Sequence, residues 1–358
     1  MSAGAESQSP DRMAMTTTQR KTSEYASLSP EAVLSDAVAG PEQARPFEVR
    51  VKGKTLYVPS VQVQGRRVIT TGRWLRIAAI HDEELVEEEP VPDPEAFLRS
   101  LRRARLKCDI FTFAQRLPET APRFKYCMEW DNYAVIPITT LADWEKRVAS
   151  DVRKALRRAR REGVEVRLSK LDDAFVAGIC DIYNESPVRQ GKPFWHYHKD
   201  FETVRRENST YPERSAVLGA YYNNELIGFI KMVFVGNQAR TFQVIGKKKY
   251  FDKKPVNALI AKAVEICELT GTSYLIYGSF MHNQTENSLT QFKRRNGFEQ
   301  LLLPRYYLPL TLKGKIALRL GLHHGMTALI PKPALRLLLK LRAAWYARPW
   351  KAEEGDPR

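Results

Sequence analysis

No stretch of the 358 residues approaches the ~20 uncharged apolar positions that a membrane span requires. The N-terminus also has no basic region followed by an apolar run, so a cytoplasmic address is expected. Cysteine is scarce. Cys108, Cys127, Cys180 and Cys267 are far apart and form neither a CxxC nor a Cys/His spacing, which fits a reducing compartment and argues against disulfides or a structural zinc site. No internal repeat recurs at a fixed short period. From Met1 to about Arg45 large apolar side chains are few and Ser, Thr, Ala, Gln and Pro abound; such a segment cannot offset its ordering entropy, which predicts a disordered arm over 1–45.

Charge is plentiful and uneven. The formal net charge of +16 combines an acidic stretch from Asp82 to Glu95 with basic stretches from Lys146 to Arg161 and in the C-terminal tail. Anionic partners are expected: a phosphorylated cofactor, an RNA or a lipid surface. Short β-type runs separated by Gly53, Gly65 and Gly72 predict a meander from Pro46 to Asp82. Asp93 before Pro94 starts a helix carrying Phe97, Leu98 and Leu101, a strand follows at Ile110 to Phe113, and Arg123 to Ile138 reads as two β segments around a turn at Asp131 and Asn132. These make a first α+β unit over 46–141. Trp144 to Glu162 reads as one helix with Val148, Val152, Ala155, Leu156 and Ala159 on a stripe and arginines on the other face, ended by Gly163. A strand, two helices, three strands, a helix, a strand, a helix and a strand ending at Leu310 complete a second unit over 142–311.

That order of elements resembles the GCN5-related N-acetyltransferase (GNAT) fold, and two strings sharpen the resemblance. Asp151, Val152, Arg153, Lys154, Ala155 continuing to Arg161, Glu162, Gly163, Val164, Glu165, Val166 is similar to the arginine-rich helix-to-strand passage of Fem-type peptidoglycan bridge aminoacyltransferases. Phe292, Lys293, Arg294, Arg295, Asn296, Gly297, Phe298 is similar to their segment after the last helix. The resemblance is to the FemAB-like and BioF2-like branch. It implies an α+β protein with a reduced first GNAT-like domain and a complete second one, transferring an acyl group. Two departures stand out. The Q/RxxGxG/A loop that cradles the coenzyme A pyrophosphate in many acetyltransferases is replaced by Gly246, Lys247, Lys248, Lys249, Tyr250, Phe251, Asp252, Lys253, Lys254, Pro255, where lysines ahead of a helix start would hold phosphate by charge. Lys293 stands where many relatives have a tyrosine acid; in the Fem-type pattern this lysine stabilises charge developing on the carbonyl oxygen and leaving group.

Candidate catalytic residues are Lys293, His196 and Tyr197. His196 and His198 lie in a loop from Arg189 to His198 dense in aromatic and titratable side chains, where a histidine of near-neutral pKa can take a proton from an attacking amine or hydroxyl. Their HxH spacing also fits metal ligands, but with no third ligand at a sensible spacing no metal is expected. Gln243, Gly246, Lys247, Lys248, Lys249 and Lys254 are assigned to the donor. Tyr183, Glu185, Arg189, Trp195, His198 and Ser279, which stands where an Asp is expected of the Fem type, are assigned to the acceptor. Each has a plainer reading as a solvated charge, a turn residue or a core side chain, and the Arg153 to Arg161 face reads equally as a nucleic-acid contact or a solvated helix face.

Three functions remain open on the sequence. The first is transfer from acyl-coenzyme A, acetyl-coenzyme A foremost, to an amine or hydroxyl of a small-molecule or cell-envelope precursor. The second is aminoacyl-tRNA-dependent transfer to a lipid-linked precursor, and the third is non-catalytic binding of RNA or an anionic membrane. The tail over 312–358 carries ten Lys or Arg against three acids and a leucine-rich segment after Pro333, which predicts a helix lying on the inner face of the membrane or covering an apolar groove.

Overall fold

The structure, a computed structural model, describes residues 44–51, 54–189, 191–281 and 286–324. All but the last two residues of the arm expected over 1–45, Gln190, and the leucine-rich part of the tail lie outside these residues. Strands β1 (Arg45–Val51), β2 (Lys54–Val63), β3 (Arg66–Thr71) and β4 (Ile77–Ile80) come first. Helix α1 (Pro94–Arg103), β5 (Ile110–Ala114) and β6 (Cys127–Pro137) follow. Next come α2 (Leu141–Arg147), α3 (Ser150–Arg161), β7 (Glu165–Ser169), α4 (Asp173–Asn184), β8 (Val188–Arg189), β9 (Lys192–Pro193) and α5 (Phe201–Asn208). The described chain closes with β10 (Ser215–Tyr222), β11 (Glu225–Val235), β12 (Gln238–Gly246), α6 (Pro255–Leu269), β13 (Tyr274–Ser279), α7 (Ser288–Arg295), β14 (Glu299–Pro309) and α8 (Leu312–Arg319).

These elements form two compact units. An N-terminal unit holds 44–130, 183–198 and 303–324 of the described residues, and a central unit holds Asp131–Ile182 and Lys199–Leu302. In the N-terminal unit β1 to β4 make an antiparallel meander, and β4 then runs parallel to β5 through the crossover helix α1. Asp93 caps that helix, its Oδ1 accepting from the Ala96 N–H at 3.0 Å, and Pro94 takes the first turn, where its missing donor costs nothing. Residues 303–309 of β14 close this unit antiparallel to β5, from Arg305 opposite Ala114 to Pro309 opposite Ile110. Its core is aromatic: the rings of Phe97 and Phe111 are 5.1 Å apart, Phe111 and Phe113 5.9 Å, Phe113 and Tyr306 5.2 Å.

The central unit orders its strands β6-β13-β12-β11-β10-β7, with residues 131–137 of β6 at one edge. Every pair is antiparallel except β12 with β13, which α6 connects. Val152, Leu156 and Ala159 of α3 and Leu259, Ile260 and Val264 of α6 cover the sheet face presented by Leu218, Ile230 and Met232. Burying each large aliphatic chain stabilises by about 1.5–3 kcal/mol. The element order and the single parallel crossover are those of the GNAT-like α+β fold expected from the sequence. The N-terminal unit repeats the meander and crossover in shorter form. No helix among the described residues is long and apolar enough to cross a membrane.

Two expectations are corrected. Cys127–Pro137 is a single strand, without a turn at Asp131 and Asn132. The Asn132 carbonyl accepts from the Phe280 N–H at 3.2 Å and its side-chain Oδ1 from the Met281 N–H at 2.7 Å, so these turn-forming residue types serve instead to hold the segment after β13. The helix expected from Trp144 to Glu162 is two helices broken at Val148 and Ala149, whose ψ angles of 154° and 149° are extended. The break lets the Ala149 N–H donate to the Arg295 carbonyl at 3.1 Å, while the Arg153 guanidinium donates to the carbonyls of Lys146 and Val148.

Candidate functional site

The parallel pair β12 and β13 is joined only from Gln238 to Arg240 and from Tyr274 to Ile276, although the strands continue to Gly246 and Ser279. Beyond that point they are unpaired with one another, and β12 is irregular where Lys231 and Met232 of β11 face it. Strand backbone that lacks a neighbour on one edge offers N–H and C=O groups to an extended ligand. Gln243, half-buried, lies on this stretch opposite Lys231.

Lys293 is brought to the β13 side of the divergence. Asn287 caps α7 by accepting from the Thr290 N–H at 3.0 Å, and the helix turns Thr290 and Lys293 inward. Lys293 is 2% exposed; its Nζ donates to the Ser279 carbonyl at 2.6 Å and lies 4.5 Å from the centre of the Tyr277 ring. No carboxylate pairs with it among the described residues, and burial pulls its pKa down to about 8. Burial likewise pushes the Tyr277 hydroxyl up to about 12. The result is an ammonium held in a poorly solvated place without a counter-charge, an arrangement that is costly unless a developing negative charge is to be met there. The structure thus joins Lys293 to Ser279 through the serine's backbone carbonyl.

The donor-side residues run from the end of β12 into α6. A Cβ on Gly246 would come within 3.0 Å of Val256 Cγ2, so glycine is what lets the strand end pack against the helix start. The lysine stretch is a 3-10 turn over Lys248–Lys253, and Lys254 then takes a left-handed conformation at φ 60°. No side chain caps α6, which begins on Pro255. Two of the lysines have acid partners: Lys247 Nζ is 2.6 Å from Glu225 Oε1, and Lys253 Nζ is 2.7 Å from Glu162 Oε2. Lys248 and Lys249 are exposed.

The acceptor-side candidates form a cluster of their own. Tyr183 is fully buried, and the His196 ring, 4% exposed, lies 4.4 Å from it, 3.5 Å from Trp195 and 5.2 Å from Phe194. Trp195 is half exposed. Arg189 pairs with Glu185 at 3.3 Å and lies 4.6 Å over the Phe194 ring. His198 is exposed in a left-handed conformation, its N–H bound to Asn184 Oδ1 at 2.9 Å, and Tyr197 packs edge-on against it. The two histidines thus differ, one set among aromatic rings and the other open to solvent.

No protein-family profile and no curated protein sequence matches the chain. Among solved structures, L-PGS from Bacillus licheniformis is similar at 13% identity, covering 74% of this chain and 88% of that one, with a TM-score of 0.49. FemX is similar at 10% identity over 80% of this chain and 95% of that one, TM-score 0.44. A tandem GNAT protein from the clavulanic acid biosynthesis pathway is similar at 10% identity over 82% and 95%, TM-score 0.39.

Two further buried cations escaped the sequence reading. Lys231, 1% exposed, donates to the Thr210 carbonyl at 2.6 Å and Oγ1 at 2.7 Å, and burial pulls its pKa to about 8. Arg240, 8% exposed, sits at the last paired position of β12 with its guanidinium 5.3 Å over the Tyr133 ring and its Nε without a hydrogen-bond partner. Lys231 is a lone cation inside an apolar strand run, which is the signal that would have found it. Three arginines of α3 form ion pairs within the central unit: Arg158 with Glu162 and Asp252, Arg160 with Glu145, Arg161 with Glu162.

Proposed function

We propose that the chain is an acyltransferase that moves an acyl group from acyl-coenzyme A, acetyl-coenzyme A foremost, to an amine or hydroxyl of a small-molecule or cell-envelope precursor. The observation that carries this reading is Lys293, a buried ammonium without a carboxylate partner among the described residues, beside the opening between β12 and β13. In the reaction the acceptor attacks the thioester carbonyl, negative charge gathers on its oxygen, and the thiolate leaves as the new amide or ester forms. Lys293 stabilises that charge and, with a pKa of about 8, can hand a proton to the departing sulfur near neutral pH. The open backbone of Thr241 to Gly246 is assigned to the donor's extended arm, with Gln243 at its side. Lys248, Lys249 and Lys254 with the uncapped start of α6 are assigned to its phosphates. Tyr183, Glu185, Arg189, Trp195, His198 and Ser279 are assigned to the acceptor, and His196 and Tyr197 to proton removal from it. The ion pairs of the α3 arginines favour this enzyme reading over a nucleic-acid surface on that helix. A cytoplasmic, peripheral location through the basic tail belongs to the same proposal and rests on the sequence.

Native mass spectrometry of the full chain with acetyl-coenzyme A, coenzyme A and an aminoacyl-tRNA tests the donor. A one-to-one acetyl-coenzyme A adduct is expected. Binding of the charged tRNA with no coenzyme A adduct would move the chain to the Fem-type donor instead.

A further inference from the structure

In the N-terminal unit, among residues that the acyl-transfer reading does not use, Glu129 of β6 meets His323 and His324 of the 3-10 turn Leu322–His324 that follows α8. The Nε2 atoms of both histidines lie 2.8 Å from the same carboxylate oxygen, Glu129 Oε1, and the three ligand atoms are all within 4.8 Å of one another. We propose that these three side chains bind one divalent transition-metal ion, zinc being the ion that suits the set.

Two imidazoles and a carboxylate are the donor types of three-ligand zinc sites, which leave a fourth position for water. At zinc bond lengths of about 2.0–2.2 Å, tetrahedral ligands stand roughly 3.3 Å apart. Separating Nε2 and Oε1 from 2.8 Å to that spacing needs movements of a fraction of an ångström. One carboxylate oxygen can accept two N–H donors; a metal requires lone pairs aimed at a common point, and the convergence of both Nε2 atoms on Glu129 Oε1 supplies that as well. His323 adds a second observation. Its side chain is 4% exposed, and its Nδ1 is buried without a hydrogen-bond partner, so neither neutral tautomer is satisfied at both ring nitrogens within the described residues. The Tyr307 ring 4.7 Å away and the His324 ring 4.0 Å away fix the orientation of the imidazole. Glu129 and His324 are more open, at 35% and 49% side-chain exposure, which gives the ion a way in. The ion would fasten residues separated by 194 positions in the sequence, so it would bind the folded chain and stabilise it by mass action. The histidines that raised and then dismissed a metal on sequence grounds, His196 and His198, take no part.

Equilibrium dialysis of chelator-stripped full-length protein against zinc chloride, followed by metal analysis, tests the site. One zinc per chain is expected, with a rise in melting temperature, and cobalt(II) loading should give the visible absorption of a low-coordinate nitrogen and oxygen site. Glu129→Gln and His324→Asn should each weaken zinc binding by more than ~100-fold, beyond the range for outer-sphere changes. His324 is half exposed, so its replacement leaves the fold intact. Cys127→Ser, two residues before Glu129, should leave binding unchanged. Stripped wild-type protein that takes up no zinc, binding that survives His324→Asn, or binding lost in Cys127→Ser would overturn the proposal.

Discussion

The two parallel strand pairs of this molecule share a plan and differ in what lies beside them. β4 and β5 are linked by α1, and β12 and β13 by α6. Beside the first pair the buried carboxylate of Asp109 is answered. Asp109 accepts from the Arg76 N–H at 2.9 Å and from Thr311 Oγ1 at 3.0 Å and pairs with Lys313 at 2.8 Å. Although burial alone would raise its pKa, these donors hold its carboxyl below the usual range. Phenylalanines fill the remaining space. Beside the second pair Lys293 and Arg240 are buried with no acid partner among the described residues, and the strands part. The same crossover serves in one unit as sealed structure and in the other as an opening with uncompensated positive charge. On the proposed reading the difference is what assigns the chemistry to the central unit, because a cation left in that state is otherwise only a cost.

The comparison can be broken at several points. The largest effect is expected for Phe113→Ala, which removes the middle ring of the aromatic lane: a stability loss of about 3–5 kcal/mol in chemical denaturation. A loss below ~1 kcal/mol would mean that the lane is not packed as a core. Asp109→Asn should cost about 1.5–3 kcal/mol at neutral pH, the range for hydrogen bonds to a charged group. The sign follows from the lowered folded pKa: the contribution is present above the unfolded carboxylate value and is lost as pH falls through the folded one. The variant should therefore approach the wild type in acid, and a gap that widens there would refute the pairing. Lys231→Met should change stability by less than ~1 kcal/mol, because removing a buried charge balances the loss of bonds to Thr210, an exposed residue that water can satisfy. Severe destabilisation would make this lysine a structural pin. The smallest effect is expected for Lys248→Gln with Lys249→Gln: a few-fold rise in the donor dissociation constant, ~0.2–1 kcal/mol per charge, with a flatter salt dependence. Lys247→Gln should mainly release Glu225, and a larger loss of donor affinity there than in the double variant would reverse the assignment.

Much of this arrangement was legible because it is written locally. Asp93 with Pro94, the apolar runs of β10 and β11 and the Phe292, Lys293, Gly297 string each announce an element within a few residues. What was missed depends on partners far away in the chain. Asn132 reads as a turn until the N–H of Met281 arrives, and Val148 reads as helix until the Arg295 carbonyl draws Ala149 out of it. Glu129 gains its histidines only after 194 residues. Lys231 was visible as the one charge in the run Leu226 to Val235, but the bonds of its ammonium go to Thr210 in the loop after α5.

The central claim is that Lys293 meets the charge of the transition state. It is tested most directly by the single-turnover rate of acyl transfer from acetyl-coenzyme A in Lys293→Met, measured beside wild type with folding followed by circular dichroism. A fall of ~100-fold or more, about 2.7 kcal/mol, with no loss of thermal stability is predicted, because an apolar side chain of similar length replaces a buried charge. An unchanged rate in a folded variant would contradict the account.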